Sequence, residues 1–181
     1  AHKGYGALEA GEIDLTEETA RLWVILEWIL EKSGLKTIAS AGDVSAYMQG
    51  IRKLFSEDRR VQQIRALEKS EGASRNTVQR VLRILLNPSP VQKKRLYAIY
   101  MHDYAGGPLT NRKMASTVSV IGVQDDRTPN LDLKVLAFLG AARLLYIHKR
   151  GYQIISVNRR IFKTIYPDIE GFCEDKGPGR R

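Results

Sequence analysis

Apolar residues recur along most of this chain at helical spacing. Leu22, Trp23, Ile25, Leu26, Ile29 and Leu30 fall on one face of a first predicted helix, which Asp14 and Glu17 open and Gly34 closes. Asp43 is placed to cap a second helix that turns Val44, Tyr47, Met48, Ile51, Leu54 and Phe55 inward. A third spans Arg59–Lys69, with Val61, Ile64, Ala66 and Leu67 as its apolar positions. Ser74 caps a fourth, Arg75–Leu86, which "NPSP" breaks. Ser89 with Pro90 in the first helical position starts a fifth, expected to run to Tyr104 and stop at Gly106-Gly107, with Tyr97, Tyr100, Met101 and Tyr104 on its apolar face.

Beyond Gly107 the pattern changes. Leu109–Ser116 reads as a short helix. "STVSVIGV" (116–123) and "YQIISV" (152–157) have the β-branching of strands, although packing can override that preference and make either one helical. The most apolar run is "LDLKVLAFLGAARLLYI". It predicts a long buried helix over Leu131–His148 ending at Gly151, while Asp132, Lys134 and Arg143 make it a poor membrane span. Ile161–Ile165 is a last turn or short helix, and "EDKGPGRR" a loose tail. The class is mainly α.

With 181 residues, 43% of them hydrophobic, the chain can bury a real core. Its single cysteine, Cys173, forms no internal disulfide, which fits a reducing compartment, and no signal-peptide pattern is visible. The net charge of +9 is uneven. Residues 1–50 carry eight acids and four bases, or −4, so the remainder carries +13. A basic body implies an anionic partner, and an acidic first part can meet the basic part of a neighbouring copy. The plain alternative is a solvated charged surface. Enzyme chemistry finds little footing: His2, His102 and His148 lack metal-ligand spacing, "HDY" at 102–104 reads as a helix end, and no phosphate-binding glycine loop is present. No cofactor is implied.

"GASRNTVQRVL" matches the turn and second helix of a helix-turn-helix. Gly72 permits the turn, Ser74 caps, and Arg75, Asn76, Gln79, Arg80 and Arg83 would face phosphates and base edges. Two features weigh against a DNA-binding regulator. Glu68 stands where a small residue is expected, four positions before the glycine. Ile84 and Leu86 lie off the apolar face of Val78, Val81, Leu82 and Leu85, narrowing the polar seam to Arg80, Arg83 and Asn87. On this reading the helix is an enclosed joint between two helical parts.

An ordered set of short matches supports the same view. Val78-Gln79, Leu82, Pro88 and Leu96-Tyr97 follow one another downstream of "LEW" (Leu26, Glu27, Trp28) and upstream of "GAARLLYIHKRG" (140–151). In this the chain resembles the matrix proteins of orthomyxoviruses, the influenza-type viruses, and its short length and divergence resemble the isavirus branch. The resemblance implies two packed helical subdomains joined by a linker helix, with boundaries at 1–72, 73–88 and 89–181. It also implies a non-enzymatic protein that polymerises head to tail beneath a viral envelope, touching anionic lipid and ribonucleoprotein or RNA, in the virion and in host cytoplasm and nucleus. One departure is that the basic cluster precedes Leu96-Tyr97 here rather than following it. The basic residues expected to meet membrane or nucleic acid are Lys93, Lys94, Arg95, Arg112, Lys113, Lys149, Arg150, Arg159 and Arg160, with Arg80 and Arg83 in reserve. An RNA packager of nucleocapsid type is a third reading.

Overall fold

The computed structural model describes residues 17–110, 113–114, 128–147 and 151–174. Five helices come first: α1 (Glu17–Lys32), α2 (Ala41–Leu54), α3 (Arg60–Glu71), α4 (Arg75–Leu86) and α5 (Pro90–Met101). A 3-10 turn (Tyr104–Gly106), strand β1 (Leu109–Thr110), α6 (Thr128–Phe138), strands β2 (Ala142–Ile147) and β3 (Gly151–Val157), α7 (Arg159–Ile165) and a 3-10 helix (Ile169–Glu174) follow. The class is mainly α, as the apolar spacing predicts. Asp14, the segment 116–123 and the tail from Asp175 lie outside the described residues.

Helix ends follow local chemistry. Gly34, at φ 75°, ends α1 with the Leu35 N–H donating to the Leu30 carbonyl and the Gly34 N–H to that of Glu31. α2 is capped by Ser40 rather than Asp43: the Ser40 hydroxyl accepts from the Asp43 N–H, and Asp43 reaches back to accept from the Ala39 N–H. Asp43 thus works from the third helical position. Ser89 and Gln92 form a reciprocal cap at the start of α5.

The long helix expected over 131–148 is instead α6, a turn and β2. Gly140 adopts φ 77°, and the Ala141 N–H donates to the Leu136 carbonyl, the same closure seen at Gly34. Beyond it burial alternates, with Ala142 and Leu144 buried and Arg143 exposed, which is the period of a strand. β3 pairs antiparallel with both β1 and β2, in the order β1-β3-β2, with a bulge between Arg143 and Leu144. The strand alternative for 152–157 therefore holds, and Leu109 opens a strand where a helix is expected. α5 ends three residues before Tyr104, and Met101 on its supposed apolar face is 50% exposed. On α3, Val61 and Ala66 face solvent, leaving Ile64 and Leu67 as the inward positions.

One cluster of buried residues runs from Leu22 to Phe172. α6 is enclosed from Leu131 onward, its Phe138 lying 6.1 Å from the Trp23 ring and 5.8 Å from Tyr47. α2 packs on α7, and α4 touches α1, α3 and α6. Buried polar groups tie the layers together. Arg95 on α5 holds Asp132 on α6 through Nε and Nη2, each at 3.2 Å, and the Tyr166 hydroxyl donates to the Ile84 carbonyl at 2.8 Å. That carbonyl needs an outside donor because the residue four positions on, Pro88, has no N–H.

Candidate nucleic-acid interface

α3 and α4 are consecutive helices joined by Gly72, Ala73 and Ser74. Gly72 sits at φ 66°, its N–H donating to the Glu68 carbonyl, and Ala73 is buried beneath the turn. Ser74 occupies the cap position of α4 with extended backbone, without a hydrogen bond from its side chain. Glu68 is accommodated at the crossing because its carboxylate reaches over the turn to Arg75 Nε at 3.0 Å.

Val78, Val81, Leu82, Ile84 and Leu85 of α4 are buried and Leu86 is half-buried, so the C-terminal half is enclosed as expected. Arg80, Arg83 and Asn87 make the polar seam of that half, and Arg75, Asn76 and Gln79 widen it toward the N-terminus. Arg75, Asn76, Gln79, Arg83 and Asn87 are exposed and Arg80 is half-buried. At 100° per residue these positions cover an arc of about 140°. The helix is strongly amphipathic: apolar on the side toward α1 and α6, and wet over its whole outer side.

The exposed positions of that outer side are arginines and amides, with half-buried Leu86 within the same arc and the Glu68 carboxylate of α3 paired to Arg75. No aspartate or glutamate occurs between Glu71 and Asp103, a stretch holding Arg75, Arg80, Arg83, Lys93, Lys94 and Arg95. Beside it, Val61, Ile64, Arg65, Arg75 and Gln79 line a small groove of about 130 Å³ between α3 and α4. Arg65 was not legible as part of this face, since its place depends on Val61 turning outward rather than inward.

The other expected cations stand on other elements. Lys93 and Lys94 are half-buried on the first turns of α5, and the Lys93 ammonium stands 5.4 Å from the Phe172 ring centroid. Arg95 is the clear correction: it is 4% exposed and committed to Asp132. A buried guanidinium in a two-pronged ion pair serves the core, not an external ligand. Lys113 is exposed. Arg159 and Arg160 are exposed at the start of α7, against the opposite end of α5 from Lys93. Arg112, Lys149 and Arg150 lie outside the described residues.

Burial pushes Asp132 up to about 6, against the pull of Arg95. Burial also raises the Tyr166 phenol, helped by the nearby Asp132 carboxylate. Among the described residues no group of His, Cys, Asp and Glu side chains could hold a metal ion, and no helix is long and apolar enough to cross a membrane. No protein-family model, curated protein or solved structure matches the chain.

Proposed function

We propose that this is a non-enzymatic nucleic-acid-binding protein that engages its ligand through α3 and α4. The observation carrying this reading is the outer side of α4, a solvent-facing arc of arginines, asparagine and glutamine, with Arg75 shared with the Glu68 carboxylate of α3. Guanidinium groups neutralise phosphates, while planar amides such as those of Asn76 and Gln79 have the donor–acceptor pair that reads an adenine edge. The enclosed C-terminal half of α4 fixes the helix rigidly to the core, so the face is presented without an ordering cost. Anisotropy of a labelled duplex, measured with non-specific competitor, tests the reading. Asn76→Ala should reduce preference for a selected sequence, and Arg80→Ala with Arg83→Ala should weaken binding to every sequence. Wild-type affinity in the Arg80/Arg83 double variant overturns it.

A second reading follows from the division of charge, −4 over residues 1–50 and +13 over the rest. It is the matrix-type role: head-to-tail self-association in a layer under a viral envelope, with anionic lipid on one side and ribonucleoprotein on the other. Flotation with anionic and neutral vesicles separates the two. Recovery with anionic vesicles at moderate salt, together with concentration-dependent sedimentation, supports the layer. A monomer that ignores vesicles but binds a duplex excludes it.

A further inference from the structure

At the far end of α5, the chain builds a second polar site from three separate elements. His102, Asp103 and Tyr104 follow the last turn of α5, Ser156 and Val157 end β3, and Arg159 opens α7; together they line an open cleft of about 410 Å³. Nothing in the reading of α3 and α4 uses these residues.

The polar groups are held in place from behind. Arg159 donates from Nε to the Tyr100 carbonyl at 3.2 Å, filling a carbonyl left open where α5 ends, and its guanidinium lies 5.6 Å from the Tyr100 ring centroid. Nε is thereby occupied and the guanidinium plane fixed, leaving its two terminal nitrogens for a ligand. His102 Nε2 lies 3.0 Å from the Gly107 carbonyl. A carbonyl only accepts, so Nε2 carries the proton and Nδ1 is the remaining polar atom of the ring. The ring is steadied edge-on by Tyr104 at 4.7 Å, and the Tyr104 hydroxyl is itself committed to the Ile99 carbonyl at 2.7 Å. The carboxylate in the cleft, Asp103, accepts through Oδ1 from the Ala105 N–H and is engaged in its own turn.

The geometry points to a phosphate group as the ligand of this cleft, held by the Arg159 guanidinium with the Ser156 hydroxyl as a flanking hydrogen-bond donor and the His102 ring beside it. A fixed guanidinium beside a hydroxyl matches a tetrahedral oxyanion better than a neutral ligand, because the first contact is charge-assisted and two-pronged. The phosphate comes either from a nucleic-acid backbone, making this a second contact point, or from a small phosphorylated molecule.

The test uses the full chain and the ring resonances of His102, one of only three histidines, identified by their loss in His102→Gln. Inorganic phosphate is titrated against chloride at equal ionic strength. The expected result is a saturable shift of the His102 signals with phosphate alone, weakened about tenfold in Arg159→Gln and about threefold in Ser156→Ala. Ser156→Ala leaves the Arg159–Tyr100 contacts intact, so its effect stands even if Arg159→Gln loosens the end of α5. An oligonucleotide arm separates the sources. Lower oligonucleotide affinity in Arg159→Gln assigns the phosphate to a backbone, whereas unchanged affinity assigns it to a small molecule. His102 signals that phosphate does not move, or moves equally in Arg159→Gln and Ser156→Ala, overturn the proposal. Arg80→Ala and Arg83→Ala should leave the phosphate shift unchanged, so failure of the α4 reading and failure of this one are distinguishable.

Discussion

At the scale of the residue, two buried polar contacts carry more than their size implies. Asp132 and Arg95 are 1% and 4% exposed, and removing one partner leaves the other charge without compensation. Asp132→Ala should cost about 3–5 kcal/mol in urea unfolding, with part recovered when Arg95 is also replaced by Met. The same carboxyl gives a pH dependence. Its folded value, about 6, lies above the ordinary 3.8, so the folded chain keeps a proton that the unfolded chain releases. The contribution of Asp132 to stability therefore falls as pH rises from about 4 to about 6 and is level above that. Unfolding midpoints of the wild type relative to Asp132→Asn should drop across this window. Tyr166→Phe should cost about 1–3 kcal/mol, since it strips the hydroxyl that donates to an Ile84 carbonyl deprived of its helical partner by Pro88. An Arg95 legible only as one of three consecutive cations becomes a core residue because α6 brings Asp132 to it.

At the scale of the element, α1 and α2 cross closely where Gly50 meets Ser33. A methyl group added at Gly50 would lie 2.7 Å from Ser33 Cβ, and closer still to its hydroxyl. Alanine is worth about 1 kcal/mol more than glycine inside a helix, yet Gly50→Ala should destabilise by about 1–3 kcal/mol. The clash falls on a short side chain with nowhere to move. Thermal unfolding checks this, and adding Ser33→Gly should return part of the loss. The five N-terminal helices were legible from apolar spacing, prolines and caps, within a residue or two for α3 and α4, while α2 begins three residues before the start that an Asp43 cap implies. The element misread most was the apolar run after Leu131. A run buried on every side has no period to separate helix from strand, and the decisive feature was Gly140, whose left-handed conformation closes α6.

At the scale of the whole molecule, the expected cations are distributed over α4, α5 and α7. The outer side of α4 and the cleft around Arg159 are built from different residues, and Arg95 belongs to neither. If α4 meets phosphates, the logarithm of duplex affinity should fall linearly with the logarithm of salt concentration, and Arg80→Ala and Arg83→Ala should each reduce that slope by about one. Equal slopes in wild type and both variants would mean that α4 makes no phosphate contact.

By itself, the sequence determined what is set by neighbours along the chain: where helices start and stop, which helix faces are apolar, and that the body is basic. Gly34, Ser74, Pro90 and the 3.6-residue spacing act within one or two turns, so their meaning survives without a fold. The tertiary structure alone decided what depends on distant partners. It buried Arg95 against Asp132, turned Val61 out, gave Ile84 its hydrogen bond from Tyr166, and gathered His102, Ser156 and Arg159 around one cleft. A charge is a binding group or a core group according to what stands opposite it, and for these residues the opposite side arrives from tens of positions away.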